Sequence, residues 1–177
     1  MSTTIADLDE ISTRVHYAGV MTPSAQWLTS DQLRAWKGLS LMQLQLQAHL
    51  SRRLAGHGLS YQDYLVLATL SDQPDGRRRV VELSDELGWE KSRLSHHISR
   101  MCERALVVKV PCPSDQRGIF VMISDEGRDT LRAAAPGHVS DVQQLFFEHL
   151  SAEDVTTLAA IAERVVAGLE HVGLDGG

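Results

Sequence analysis

Cysteine is nearly absent from this 177-residue chain: Cys102 and Cys112 are the only two. Two cysteines cannot build a disulfide framework, so a reducing, cytoplasmic setting is expected. No apolar run approaches the roughly 18 residues a spanning helix needs, and no membrane association is expected. The first 25 residues hold three acids, one arginine and no apolar stretch, unlike a signal peptide. Low-complexity tracts and solenoid-period repeats are missing. So are glycine-rich phosphate loops, nucleophile elbows and paired carboxylates in a supporting context, so neither an enzyme nor a cofactor is expected. Eight histidines are present, but none stands in a His-x-x-x-His pattern and no Cys-x-x-Cys occurs, so no metal is expected.

What is present suits one soluble domain with an oligomerisation element. Hydrophobic residues make up 43% and charged residues 23%, with a formal net charge of −6. Residues 1–28 read as an N-terminal arm. Thr29 and Gln32 stand at capping-box spacing and open a long helix to about Ala55. Its apolar residues, among them Trp36, Leu39, Met42, Leu44, Leu50 and Leu54, form a face broad enough to suggest a partner chain. Ser60 and Asp63 start a short helix. Arg77-Arg78-Arg79 read as a solvated run, with phosphate contact as the other reading. Val81 to Leu87 and Lys91 to about Arg104 form two helices joined by Gly88-Trp89-Glu90, a helix-turn-helix pattern. Leu106 to Val110 and Ile119 to Ile123 read as the arms of a β-hairpin, with a long tip from Pro111 to Gly118. Ser124 opens a helix expected to reach Leu150, kinked or broken at Pro136-Gly137. Ser151 and Asp154 open the last helix, with a tail fraying from Gly173.

On a helical wheel Leu94, Ile98, Met101 and Ala105 share one arc. Arg93, His96, His97, Arg100 and Arg104 share a neighbouring arc that carries no acid. Such a helix can hold the core on one side and enter a DNA major groove with the other. Arg93 or Arg100 could grip guanine bidentately, His96 and His97 could meet base edges, and Ser92 and Ser95 could meet phosphates or bases. The same stripe also fits a solvated surface helix. Arg117 at the hairpin tip suits a narrow minor groove, with Asp115 two residues earlier as a brace. Residues 77–117 hold nine Lys/Arg against six Asp/Glu, a net of +3, while the other 136 residues carry −9. A basic head on an acidic chain fits a localised nucleic-acid site.

Residues 87–128 (LGWEKSRLSHHISRMCERALVVKVPCPSDQRGIFVMISDEGR) resemble the core of the MarR family of winged helix-turn-helix regulators. The resemblance rests on Asp115-Gln116-Arg117, a following strand, and Ser124-x-x-Gly127. It implies a mainly α fold with a small β-hairpin wing, flanked by dimerisation helices. The implied divisions are 29–56 and 124–177 for dimerisation and 57–123 for the winged head. The implied partner is a double-stranded, pseudo-palindromic operator bound by a homodimer, usually as a repressor. Implied recognition-helix contacts are Ser92, Arg93, Ser95, His96, His97 and Arg100; implied wing contacts are Lys109, Asp115, Gln116 and Arg117. The sequence departs from the pattern in four places. Ala105 stands where glycine is usual, Glu90 replaces a Ser/Thr cap, Pro111 and Pro113 stiffen the wing, and Pro136 interrupts a helix.

The resemblance also implies a small aromatic or anionic effector. Trp36, His49, Arg52, Tyr61 and Tyr64 are the candidates, each of which also fits a core, interface or solvated role. A thiol redox sensor of the same fold is an alternative, with Cys112 near Lys109 expected to be exposed and Cys102 beside the apolar arc. A dimeric protein-interaction module without DNA is another.

Overall fold

The computed structural model describes residues 27–112 and 115–174. Most of the expected N-terminal arm, wing residues Pro113 and Ser114, and the last three residues lie outside them. The chain divides into two compact units, residues 1–45 and 46–177. Helix α1 (Ser30–Ala55) starts where its capping box predicts. Gln32 donates its backbone N–H to Thr29 Oγ1 at 3.2 Å, and Thr29 returns one to the Gln32 side chain at 2.9 Å. In the first unit Trp36, Leu39, Met42 and Leu44 are exposed, Trp36 at 61%.

In the second unit the order is α2 (Tyr61–Ser71), β1 (Arg77–Arg79), α3 (Val80–Leu87), α4 (Lys91–Glu103), β2 (Val107–Cys112), β3 (Asp115–Ile123), α5 (Asp125–Leu145), a short 3-10 turn (Phe147–His149) and α6 (Ala152–Leu174). The sheet is antiparallel with order β1-β3-β2. Leu67, Leu70, Leu83, Leu94, Ile98, Met101 and Val121 interlock α2, α3, α4 and the sheet, each fully buried. Each such side chain contributes roughly 1.5–3 kcal/mol of transfer free energy, so the head is held by its own core. Among the described residues no helix is long and apolar enough to cross a membrane.

Several local choices explain the joints. Gly88, at φ 62°, ends α3 in the left-handed region, which glycine enters without a Cβ clash. Buried Ser84 donates its hydroxyl to the Trp89 carbonyl and fixes the turn into α4. Ser124 Oγ accepts from Gly127 N–H at 2.9 Å and caps α5. A Cβ on Gly127 would stand 2.1 Å from the Leu106 carbonyl oxygen. The Ser-x-x-Gly spacing thus joins a cap to a close approach that only glycine permits.

The structure corrects the sequence reading in five places. Arg77–Arg79 form a strand, not a solvated run: they pair with Phe120–Met122, and Arg77 and Arg79 lie over the Phe120 ring. The sheet is therefore a three-stranded element and not a bare hairpin. The wing tip is shorter than expected, because β2 continues through Pro111 and Cys112 and β3 begins at Asp115. Pro111 is tolerated because β2 is an edge strand. Cys112 lies next to a register shift in the β2–β3 pairing and is buried instead of exposed, with the Arg79 guanidinium 3.2 Å from its sulfur. Helix α5 runs unbroken through Pro136 and ends at Leu145, not Leu150. Finally, α6 remains helical through Gly173 to Leu174. Ala105 does take the conformation that its place in the pattern demands, at φ 57°, the only described non-glycine residue with positive φ.

Candidate nucleic-acid interface

The second helix of the pair, α4, divides as its periodicity predicts. Leu94, Ile98 and Met101 are fully buried beneath it. Ser92, Arg93, Ser95, His96 and Arg100 are exposed on its outer side. Glu90 sits at the N-cap without a side-chain hydrogen bond, so the first N–H groups of α4 lack the serine or threonine cap that most helices prefer. Lys109 on β2 reaches across to donate to Ser99 Oγ at 3.0 Å, and Ser99 donates to the Ser95 carbonyl. These contacts tie the wing to the helix. Asp115, Gln116 and Arg117 lie at the start of β3; their side chains lie outside the described residues.

Two members of the polar arc turn away from the exposed side of α4 toward Asp63. His97 is 9% exposed, with Nε2 at ion-pair distance, 3.0 Å, from Asp63 Oδ1 on α2. Its ring meets Trp89 edge-on, with centroids 5.5 Å apart. The imidazole therefore points into the head, away from the exposed side of α4. Arg104, just past the end of α4, turns back to donate to Asp63 Oδ2 at 2.8 Å and to the Gly58 carbonyl. The adjacent histidines thus have opposite surroundings: His96 faces outward and His97 inward.

Asp63 is the residue that sequence reasoning undervalued. It was legible as a capping partner: Ser60 N–H donates to Asp63 Oδ2 at 2.9 Å, and Asp63 N–H donates to Ser60 Oγ at 3.0 Å. It also receives Arg104 and faces His97. Burial alone would push its carboxyl up, but His97, Arg104 and the two Ser60 contacts outweigh that and hold it well below the usual carboxylate range. No pattern within α2 or α4 announces this cluster, because its partners are 34 and 41 residues apart in sequence. Around it opens a surface cleft of about 380 Å³ lined by Ser60, Asp63, Trp89, Arg93, Arg100 and Arg104, among others.

The effector candidates differ in exposure. Trp36, His49 and Arg52 are exposed, while Tyr61 and Tyr64 are half-buried. Tyr64 packs against His138 with ring centroids 4.1 Å apart, and burial raises its hydroxyl pKa, with Tyr61 and Asp72 adding to the shift. A cleft of about 310 Å³ near His138 is lined by Arg53, His57, Ser140 and Asp141 among others, and by none of the five candidates. Burial lowers the His138 pKa against the opposing pull of Asp141. Cys102 is half-buried against the core. Among the described residues no group of three or more His, Cys, Asp or Glu could hold a metal.

Comparison with known proteins agrees with this geometry. Residues 57–118 match the model of the MarR family. AbsC, a MarR family transcriptional regulator of Streptomyces coelicolor, is similar at 34% identity and a TM-score of 0.79, over 83% of this chain and 99% of that one. Sco3205, a MarR family regulator of the same organism solved in complex with DNA, is similar at 36% identity and a TM-score of 0.78, over 82% and 92% of the two chains. The HTH-type transcriptional regulator MhqR of Bacillus subtilis is 22% identical over 141 residues, covering 78% of this chain and 93% of its own.

Proposed function

The chain belongs to the MarR family of transcriptional regulators, and from that premise we propose that it binds a pseudo-palindromic operator as a homodimer in the cytoplasm, represses the adjoining gene and is released by a small molecule. The observation that carries the reading is the division of α4: a fully buried apolar side and an outer side bearing Ser92, Arg93, Ser95, His96 and Arg100, with Glu103 in the last turn as the helix's one acid. Such a face can sit in a major groove and present guanidinium groups to guanine edges. Arg117 on the wing enters the adjacent minor groove, braced by Asp115, with Gln116 and Lys109 on the backbone.

The dimer reading is supported by the ends of the described chain. Trp36, Leu39, Met42 and Leu44 on α1, and Ile161, Val165, Val166 and Leu169 on α6, are apolar and exposed. Residues 29–56 and 124–177 therefore serve as dimerisation segments around a head at 57–123, and twofold symmetry sets half-sites about one helical turn apart. An aromatic or anionic effector drawn to Trp36, His49, Arg52, Tyr61 or Tyr64 would release the operator by favouring another spacing of the two heads.

The test is a salt titration of operator binding. Replacing Arg117 with alanine weakens binding and lowers the slope of log K against log salt by about one. An unchanged slope and affinity would remove Arg117 from the interface.

A further inference from the structure

We propose that His97 is a positioning residue for operator recognition, an inference that rests on the reading of α4 as the DNA-contacting helix. Arg100 Nη2 lies 3.3 Å from His97 Nδ1. A guanidinium has donors only, so Nδ1 must accept through its lone pair. In the neutral imidazole the single ring proton is then on Nε2, which faces Asp63 Oδ1 at 3.0 Å. The Asp63 carboxylate, pinned by Arg104 at 2.8 Å and by the Ser60 N–H at 2.9 Å, favours that tautomer by its charge, although the Nε2 contact is not aligned as a hydrogen bond. The same imidazole packs nearly perpendicular to Trp89 with ring centroids 5.5 Å apart, and the Arg93 guanidinium lies 5.1 Å over the Trp89 ring.

Two arginines on the outer face therefore rest on one buried ring, Arg100 by a hydrogen bond and Arg93 through Trp89. Long cationic side chains lose rotamer freedom on binding, and a side chain already held loses less. Direct readout by a bidentate arginine also demands a fixed fork orientation. His97 contributes to sequence discrimination by holding that fork, without touching DNA.

The experiment measures the affinity ratio of the full-length protein for its selected duplex against the same duplex with the base pair under Arg100 changed. Four proteins are compared: wild type, Arg100→Ala, His97→Gln and His97→Asn. Glutamine keeps a donor toward Asp63 but gives Arg100 no acceptor at the Nδ1 position. Asparagine keeps that acceptor and gives up the donor. Arg100→Ala loses the discrimination, His97→Gln loses about three- to tenfold of it, and His97→Asn retains it. Wild-type discrimination in His97→Gln beside its loss in Arg100→Ala would overturn the positioning role and leave the reading of α4 intact. Wild-type discrimination in Arg100→Ala would overturn both, and equal losses in the two His97 variants would reduce His97 to a packing residue. Independently of any variant, nitrogen-15 spectra of the wild-type imidazole give a protonated Nε2 and a bare Nδ1; the opposite tautomer contradicts the proposal.

Discussion

The head and the last helix solve opposite problems. In the head, α2, α3, α4 and the sheet bury Leu67, Leu83, Leu94, Ile98 and Val121 completely. Along α6, by contrast, no described residue is buried, and Val165 and Leu169 stand 56% and 66% exposed. Both regions carry helical-period apolar residues, so periodicity alone does not separate them. What separates them is burial: the head packs its apolar residues within the chain, while those of α6 stay exposed and would meet a second copy in the proposed dimer. A region with an internal core can hold side chains in fixed positions, as the Asp63 cluster does. A region without one can change its packing and so carry a signal between two heads.

The largest effect should come from breaking the α6 side of that comparison. Replacing Val165 and Leu169 together with glutamate buries two unpaired charges in the proposed dimer seam. Analytical ultracentrifugation then gives a monomer, operator binding falls by at least about a hundredfold, and the head keeps its helical circular dichroism. A stable dimer in that variant would exclude α6 from the interface.

The head is broken from within by Asp63→Asn, which takes the buried charge from its partners. It costs about 2–4 kcal/mol in urea unfolding at neutral pH. Asp63 is held below its ordinary pKa, so its stabilisation is fully present above about pH 4 and is lost as pH falls toward the lower, folded-state value. The wild type therefore loses stability in that acid window, and the variant shows a shallower slope. Equal slopes would mean that the carboxylate is not differentially held.

A smaller change sharpens the comparison by relieving strain in the head. Ala105 occupies the left-handed region at φ 57°, which disfavours any residue with a Cβ. Ala105→Gly raises the unfolding free energy by about 0.5–1 kcal/mol, net of glycine's extra unfolded-state entropy. A loss of stability would show that the Ala105 methyl packs usefully.

The split between the regions also marks what was legible in the sequence. Caps are local, so Thr29 with Gln32, Ser60 with Asp63, and Ser124 could be read directly. The buried arc of Leu94, Ile98 and Met101 followed from spacing. The strand at Arg77–Arg79 could not be read this way, because three arginines show no alternation and their pairing with Phe120–Met122 is set by distant chain. His97 stands about 100° from His96 on the wheel and beside the buried arc of Leu94 and Met101, so spacing turns it inward; its partner Asp63, far back in the chain, could not be read that way. Pro136 predicts a kink or a break, and α5 does not break there, since one lost backbone donor does not end a helix of 21 residues. The exposed apolar stripes were visible as stripes, but nothing local in the sequence names what covers them.

If two identical heads read one duplex with the outer face of α4, selection from a pool of randomised duplexes with the full-length protein as bait enriches an inverted repeat. Its half-sites lie about one helical turn apart, and it binds two chains per duplex. Enrichment of an asymmetric single site by one chain, or no enrichment at all, would rule out paired reading heads.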